Sequence, residues 1–468
     1  MTLRPSKCKR MAPGPSWSVL PSVLVVEIFS YLSLKDRLRA SSSCKRWRSC
    51  LFHPSLWNGV VLHLSYSKRQ RTRFLVERCG RFLRQVVICF NSNSPAEVRE
   101  CLKILEVLSE NKVIASLSLQ PSSCHLEWPG EPPFYVTDRY LSCIEKIIIN
   151  SRKLKHLSLG SVDQLLEHSH TVLELLSRYH FDGLKALHLA SVKEDSENYG
   201  IIDLNVDLIR SFKALQHLSI DYDFLSTSLL EAFLSTEKDQ LDRLCIHVHG
   251  IEPDHEKITN ETWRKLRNRH PKLEVTVNLI HSYEGVASLL DILQPSLPLT
   301  NFRQFFCANL NMAAVDFIST HHSESLRSFY VIDGFQDGYP NLYISTTEED
   351  PFVMMAWRCS KLEEFTLIGY EVLDDDVVAI ARLRGQNLKT FNIPYSCVST
   401  VYETDGENAM QVERYVNPEL ADMVSSSLGW SWQPLPDNQT PRAVYDDQAD
   451  AETAYMKILH LDQAWKYK

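Results

Sequence analysis

One phrase recurs through the middle of the chain: apolar-x-x-apolar-x-apolar, most often opening with Leu and a basic residue. It reads LKHLSL from Leu154, LKALHL from Leu184, LQHLSI from Leu215, LDRLCI from Leu241, LRSFYV from Leu326, LEEFTL from Leu362 and LKTFNI from Leu388. Weaker copies are LRQVVI from Leu83, IASLSL from Ile114 and LEVTV from Leu273. Starts at 83, 114, 154, 184, 215, 241 and 273 lie 26 to 40 residues apart, and the wider gap from 273 to 326 predicts an irregular copy near Leu299-Thr-Asn-Phe302. Such a period decides the architecture, because a unit of this length cannot bury its own apolar face and must stack on its neighbours.

Within a copy the residues alternate as a short strand does. In LKHLSL, Leu157 and Leu159 point to the core, and His156 and Ser158 point the other way. The residues between copies read as helices. Asp350 precedes Pro351 as an N-cap, and Asp374 to Asp376 open a second helix that Gly385 closes. This is leucine-rich-repeat spacing at its long, irregular end, and it predicts an α/β solenoid, curved, with parallel strands on the concave face. An unrelated α/β domain with coincidental Leu spacing is the competing reading. The concave face then offers His156, Ser158, His188, His217, Ser219, Arg243, Cys245, His247 and Tyr330 as candidate binding residues. The histidines suit a pH-sensitive or acid-binding surface. The plain alternative is a solvated polar sheet, and a metal site at His247 and His249 lacks a convincing complement of ligands.

The chain has 468 residues, 44% hydrophobic and 23% charged, with net charge -8. That balance argues against non-specific nucleic-acid binding, which wants a basic field. No run of eighteen apolar residues predicts a membrane span, and the first twenty residues lack a secretory core. The twelve cysteines show no Cys-x-x-Cys pairing, which fits free thiols in a cytoplasmic and/or nuclear setting. No catalytic constellation emerges: Gly429-Trp-Ser431-Trp is a fragment of a nucleophile elbow, and His125-Leu-Glu127 lacks the downstream cysteines of a zinc deaminase. No catalytic residue, metal ligand or cofactor is therefore expected.

The stretch LPSVLVVEIFSYLSL, from Leu20 to Leu34, poses a separate problem. Val23, Leu24, Val25, Val26, Ile28, Phe29, Tyr31 and Leu32 cannot share one face of a helix, so a helix here must find burial on two sides. It opens a segment of about forty residues that reads as three short helices, too few to bury such surface alone. The segment carries Leu20-Pro21, Ile28-Phe29-Ser30-Tyr31-Leu32, Asp36-Arg37-Leu38, Cys44-Lys45-Arg46-Trp47 and Leu56-Trp57, in that order. In these motifs it resembles the F-box family, with two departures: Val23 where Glu is common, and Ser43 where Val is usual.

The resemblance implies docking to a Skp-type adaptor, and through it to a cullin scaffold, with Leu20, Pro21, Leu24, Ile28, Phe29, Leu32, Trp47 and Trp57 at the adaptor or closing the local core. It further implies a non-catalytic receptor that selects an unknown protein substrate for ubiquitination. A repeat scaffold that binds a partner without directing turnover shares every one of these features. The expected organisation is a disordered N-terminus at 1-15, the F-box at 16-62, a linker helix at 63-80, the solenoid at 81-395 with a loop insertion at 121-138, and a C-terminal cap, linker and amphipathic helix at 396-468. The basic run from Lys68 to Arg73 reads as a solvated helix face. The terminal helix, with Ala451, Tyr455, Ile458, Leu461 and Trp465 on one side, is expected to cap the open end of the solenoid or to bind a partner.

Overall fold

Each copy of the repeated phrase forms one short strand, and the strands pair in parallel, in chain order, as a sheet of 12. They run from Gly59–His63 through Gln85–Phe90, Ser116–Pro121, His156–Ser158, Ala186–His188, His217–Asp221, Arg243–Val248, Glu274–Ile280, Leu299–Phe305, Ser328–Ile332 and Glu364–Ile368 to Thr390–Asn392. The irregular copy expected near Leu299 is the Leu299–Phe305 strand. This computed structural model describes residues 17–128, 133–193, 205–235, 240–335, 350–403, 410–413 and 417–463. The expected disordered N-terminus at 1-15, the centre of the 121-138 loop and Trp465 lie outside the described residues.

The register sets equivalent side chains beside one another. Leu157 pairs with Leu187, Leu187 with Leu218 and Leu218 with Leu244, all buried. Later copies replace Leu by Phe. Phe302, Phe329, Phe365 and Phe391 stand in register with neighbouring rings 5.6, 5.6 and 5.9 Å apart. Helices between the strands form the convex layer. Asp350 accepts hydrogen bonds from the N–H groups of Phe352 and Val353 at 2.9 and 2.8 Å, which starts the Pro351–Arg358 helix. Gly385 ends the Asp374–Arg384 helix at φ +53°, a conformation that favours glycine.

The sheet begins earlier than the expected start at 81. Gly59–His63 pairs in parallel with Gln85–Phe90. Trp57, Val60 and Leu62 fill the three apolar places of the phrase and are all buried, with Trp57 standing where later copies open with Leu. The Tyr66–Cys79 helix, expected as a linker, is the helix of this first unit and buries Leu75, Val76 and Cys79. Within it Lys68, Arg71 and Arg73 are exposed, and Arg73 makes a two-point ion pair with buried Glu100 of the next helix, at 2.9 and 2.5 Å.

The far end is closed by the first part of the C-terminal segment, and not by the terminal helix. The Leu420–Leu428 helix packs against Asp374–Arg384. Trp432 stacks on Phe391 at 5.5 Å and donates its indole N–H to the Phe391 carbonyl at 2.7 Å, and Trp430 donates to the Leu388 carbonyl at 3.1 Å. The terminal helix does not cap this end. It turns back across the concave face.

Candidate partner-docking surfaces

At the N-terminal end, three helices, Ser22–Tyr31, Leu34–Ser41 and Lys45–Cys50, lean on the first strand. Val25 and Phe29, one turn apart, are fully buried, and their core is continuous with that of the solenoid. Phe29 meets Trp47 edge to face at 5.5 Å. Trp57 is fully buried and donates its indole N–H to the Leu51 carbonyl at 2.8 Å. Phe29 and Trp57, named among the candidate adaptor contacts, are thus core residues and present no surface. Leu20, Ile28, Leu32 and Trp47 are half-buried, and Pro21 and Leu24 are exposed.

The opposite side of the first helix is bare. Val23 is 77% exposed and Tyr31 81%, Leu24 is exposed with them, and Trp17 and Val19 in the turn before the helix are exposed as well. A helix with two apolar faces has therefore buried one and left the other in water. A lone exposed apolar residue needs no account, but several on one face of one helix mark a contact surface.

Arg37 fixes the angle of these helices. Its guanidinium donates to the carbonyls of Phe29 at 3.0 Å, Leu56 at 2.6 Å and Leu32 at 3.3 Å. Two of these sit at the C-terminal end of the first helix, where carbonyls run short of helical partners; the Phe29 carbonyl also accepts from the Leu32 N–H at 3.2 Å. Burial lowers the Arg37 pKa from its ordinary value. The sequence showed Arg37 only as the middle of a motif, because its partners lie on two other segments, the end of the first helix and the turn at Leu56.

On the concave face, the expectation of an open polar sheet is overturned. The terminal helix, Glu452–Asp462, lies across it. Tyr455, Met456 and Leu459 are buried with Cys124, Val192, Ile280 and Phe305, and the Tyr455 ring stands 5.1 Å from Phe305. His156 donates through Nε2 to the Gln463 carbonyl at 3.0 Å, and Ser158 donates to Gln463 Oε1 at 2.6 Å. Gln463 Nε2 donates to Ser161 at 2.9 Å. Arg303 pairs with Asp462 at 2.5 Å, and His460 donates to the Pro121 carbonyl at 2.8 Å. The inward side of this helix is Tyr455, Met456, Leu459 and His460. Leu461, expected on the apolar side, is 71% exposed, and Ala451 and Ile458 are half-buried.

The remaining concave candidates fall into two groups. His188 is buried and bonded to Ser219 at 2.7 Å; Cys245 lies beside Asp462, its Sγ 3.9 Å from Oδ2. His217 and Arg243 border an open cleft of about 240 Å³ next to Leu461, and Tyr330 is half-buried against Phe305. Burial holds the pKa values of His156, His217 and His247 down at about 4, with Arg243 adding to the shift of His217. These imidazoles are neutral at pH 7, so they do not supply the cationic surface that their number suggests.

Two clusters bring three ligand-type atoms within 4.8 Å of one another: Asp221, His247 and His249, and Cys124, His125 and Glu452. In the first, His247 Nδ1 and His249 Nε2 both face the Ser191 carbonyl, at 2.7 and 3.3 Å, so each nitrogen donates a proton there. Asp221 accepts from the Ser191 N–H at 2.8 Å and hydroxyl at 2.5 Å. In the second, Glu452 accepts from the Cys124 N–H at 2.6 Å and thiol at 3.2 Å. Both clusters are hydrogen-bonded joints, and the second ties the terminal helix to the loop after the Ser116–Pro121 strand.

Comparison with known proteins bears on the N-terminal surface. The F-box-like family model matches residues 17–63. The N-terminal segment is an F-box-like domain. The chain is 28% identical to human F-box only protein 33, over 89% of this chain and 83% of that protein. It is 28% identical to the mouse protein of the same name, over 93% of this chain and 85% of that protein, and 23% identical to mouse F-box/LRR-repeat protein 21, over 89% of each. The protein thus joins an F-box-like domain to a leucine-rich-repeat solenoid, and Trp57 belongs to both, closing the first and opening the second. Among the described residues, no helix is long and apolar enough to cross a membrane.

Proposed function

We propose that the protein is the substrate-receptor subunit of a ubiquitin ligase of the Skp-adaptor and cullin type. It docks the adaptor through the outer face of its F-box and selects a protein target with the repeat domain. The observation that carries this reading is the exposed apolar face of the first helix, Val23, Leu24 and Tyr31 with half-buried Ile28, which nothing in the described chain covers. Burying one such side chain stabilises a complex by about 1.5–3 kcal/mol before association costs.

The receptor does no covalent chemistry. It raises the local concentration of a target lysine near a charged ubiquitin-conjugating enzyme, so its contribution is proximity. The F-box core is continuous with the repeat core through Trp57, Val60 and Leu62, which makes the chain a stiff arm between adaptor and target. The target-facing surface is the open part of the concave side, with His217, Arg243 and Tyr330, and the site of action is cytoplasmic and/or nuclear.

The test is co-purification with a Skp-type adaptor of the wild-type chain and of a Val23→Asp, Leu24→Asp variant. Stoichiometric capture that the variant loses supports the reading. Failure of a folded wild-type chain to bind any Skp-type adaptor overturns it.

A further inference from the structure

We infer that the concave groove is a receptor for an amphipathic helix, and that the terminal helix Glu452–Asp462 is its resident, exchangeable ligand. A partner helix that presents an aromatic residue, a leucine one turn later and a carboxylate three residues beyond takes the same seat when the resident lifts. This holds whether or not the F-box docks an adaptor.

The anchors are visible in the resident. Tyr455, Leu459 and Asp462 stand at positions i, i+4 and i+7, the spacing at which one helix face addresses a groove. Tyr455 and Leu459 enter an apolar seat, with the Tyr455 hydroxyl 3.1 Å from His281 Nε2, and Asp462 meets Arg303. Arg303 is buried, so an occupant without a carboxylate there leaves a guanidinium unpaired, and the groove discriminates against it.

Three observations make the resident exchangeable. Its apolar seat is small: four buried residues, Cys124, Val192, Ile280 and Phe305, which with Tyr455, Met456 and Leu459 form a cluster separate from the main core in which the repeat leucines sit. The rest of the groove floor is polar: His156, Ser158 and Arg303 can turn their hydrogen bonds to water when the helix leaves. The helix is also joined to the rest of the chain by a short surface segment: Tyr445 still packs on Phe335 at 4.9 Å, and beyond it Asp447, Gln448 and Asp450 are exposed. A tethered ligand acts at an effective concentration in the millimolar range, so it excludes weak competitors and yields to a strong one.

The test uses the full chain and, as probe, a fluorescein-labelled synthetic peptide of residues 447–468, followed by anisotropy. The Leu459→Asp chain, whose own helix is weakened, is expected to bind the peptide at least about tenfold more tightly than the wild-type chain does. A peptide that itself carries Leu459→Asp is expected to bind neither. Tyr455→Ala serves as a second variant if Leu459→Asp does not fold. Folded variants that do not bind the peptide overturn the inference. So does loss of the whole solenoid in both variants, which would make the helix part of the indispensable core. Concentration-dependent dimerisation of the wild-type chain that Leu459→Asp abolishes would assign the groove to a second copy and overturn the resident role.

Discussion

The F-box helix Ser22–Tyr31 has one face in the core and one in water, and two substitutions separate their roles. Phe29→Ala empties a fully buried site, where the lost transfer energy and the cavity together cost about 3–5 kcal/mol. The edge-to-face contact with Trp47, an indole that also donates to the Trp17 carbonyl at 3.1 Å, is lost with it. Val23→Asp with Leu24→Asp touches exposed positions, where substitutions cost about 0.5 kcal/mol or less. Amide hydrogen exchange of residues 22–50 reads the difference. Phe29→Ala is expected to raise the opening constant of these helices by about two to three and a half orders of magnitude, at about 1.4 kcal/mol per tenfold, while the repeat strands keep their protection. The surface pair is expected to leave protection unchanged and to abolish adaptor capture. Unchanged protection in Phe29→Ala would refute the burial argument. Loss of protection in the surface pair would show that the outer face packs inside the chain and was never free to dock.

Three further outcomes follow from the same geometry. Arg37→Ala removes three hydrogen bonds from a charged donor and is expected to destabilise the F-box helices by about 2–4 kcal/mol, read by the same exchange experiment; Arg37→Lys, with a point charge in place of a fork, should recover only part of it. Gly369→Ala is expected to cost at least about 2 kcal/mol in a urea titration, because its φ is +96° and the new Cβ would lie 2.4 Å from the Asp333 carbonyl oxygen. His156 and His247 have pKa values depressed to about 4, so the unfolded chain takes up the extra protons and stability is lost as pH falls from about 6.5 towards 4. At pH 5 the loss is about 2 kcal/mol per histidine, offset in part by Asp221, whose burial raises its pKa to about 6 and which favours the folded chain as it protonates. Urea midpoints at pH 7 and pH 5 check this, and His156→Gln, neutral throughout, should flatten the profile.

The repeat was legible because it is local. Eleven of the strands sit on phrases in which the core-facing residues recur at fixed places, and a period of two needs no knowledge of distant chain. The Asp350-Pro351 start and the Gly385 stop were legible for the same reason. The strand at Gly59–His63 escaped because its first apolar place holds Trp57, which also completes an F-box motif, so one residue carried two readings. The F-box residues were legible as a motif but not as a surface. Leu20 to Leu34 is apolar on both sides, and only the packing of Phe29 on Trp47 shows which side faces in. The concave candidates failed differently. His156 and Ser158 were exposed by every local rule, and they, with Arg303, are covered because Asp462 and Gln463 return from the other end of the chain. Such contacts span 159 to 307 residues and leave no periodic trace.

The two surfaces demand different partners for a physical reason. The outer F-box face is apolar and bare, so its association is driven by area removed from water and tolerates any well-shaped apolar groove. The concave face is polar and occupied, so association there must replace hydrogen bonds one for one. A ligand that cannot answer Arg303 and Ser158 leaves buried polar groups unpaired, at about 1–3 kcal/mol for a neutral group and more for a charge. On the proposed function, discrimination then belongs to the concave side and general attachment to the F-box side. That division fits the proposed receptor, whose adaptor is shared and whose target is particular, and with the inferred exchange of the last helix it puts selectivity in the competition between the target and the Tyr455 to Gln463 face of that helix.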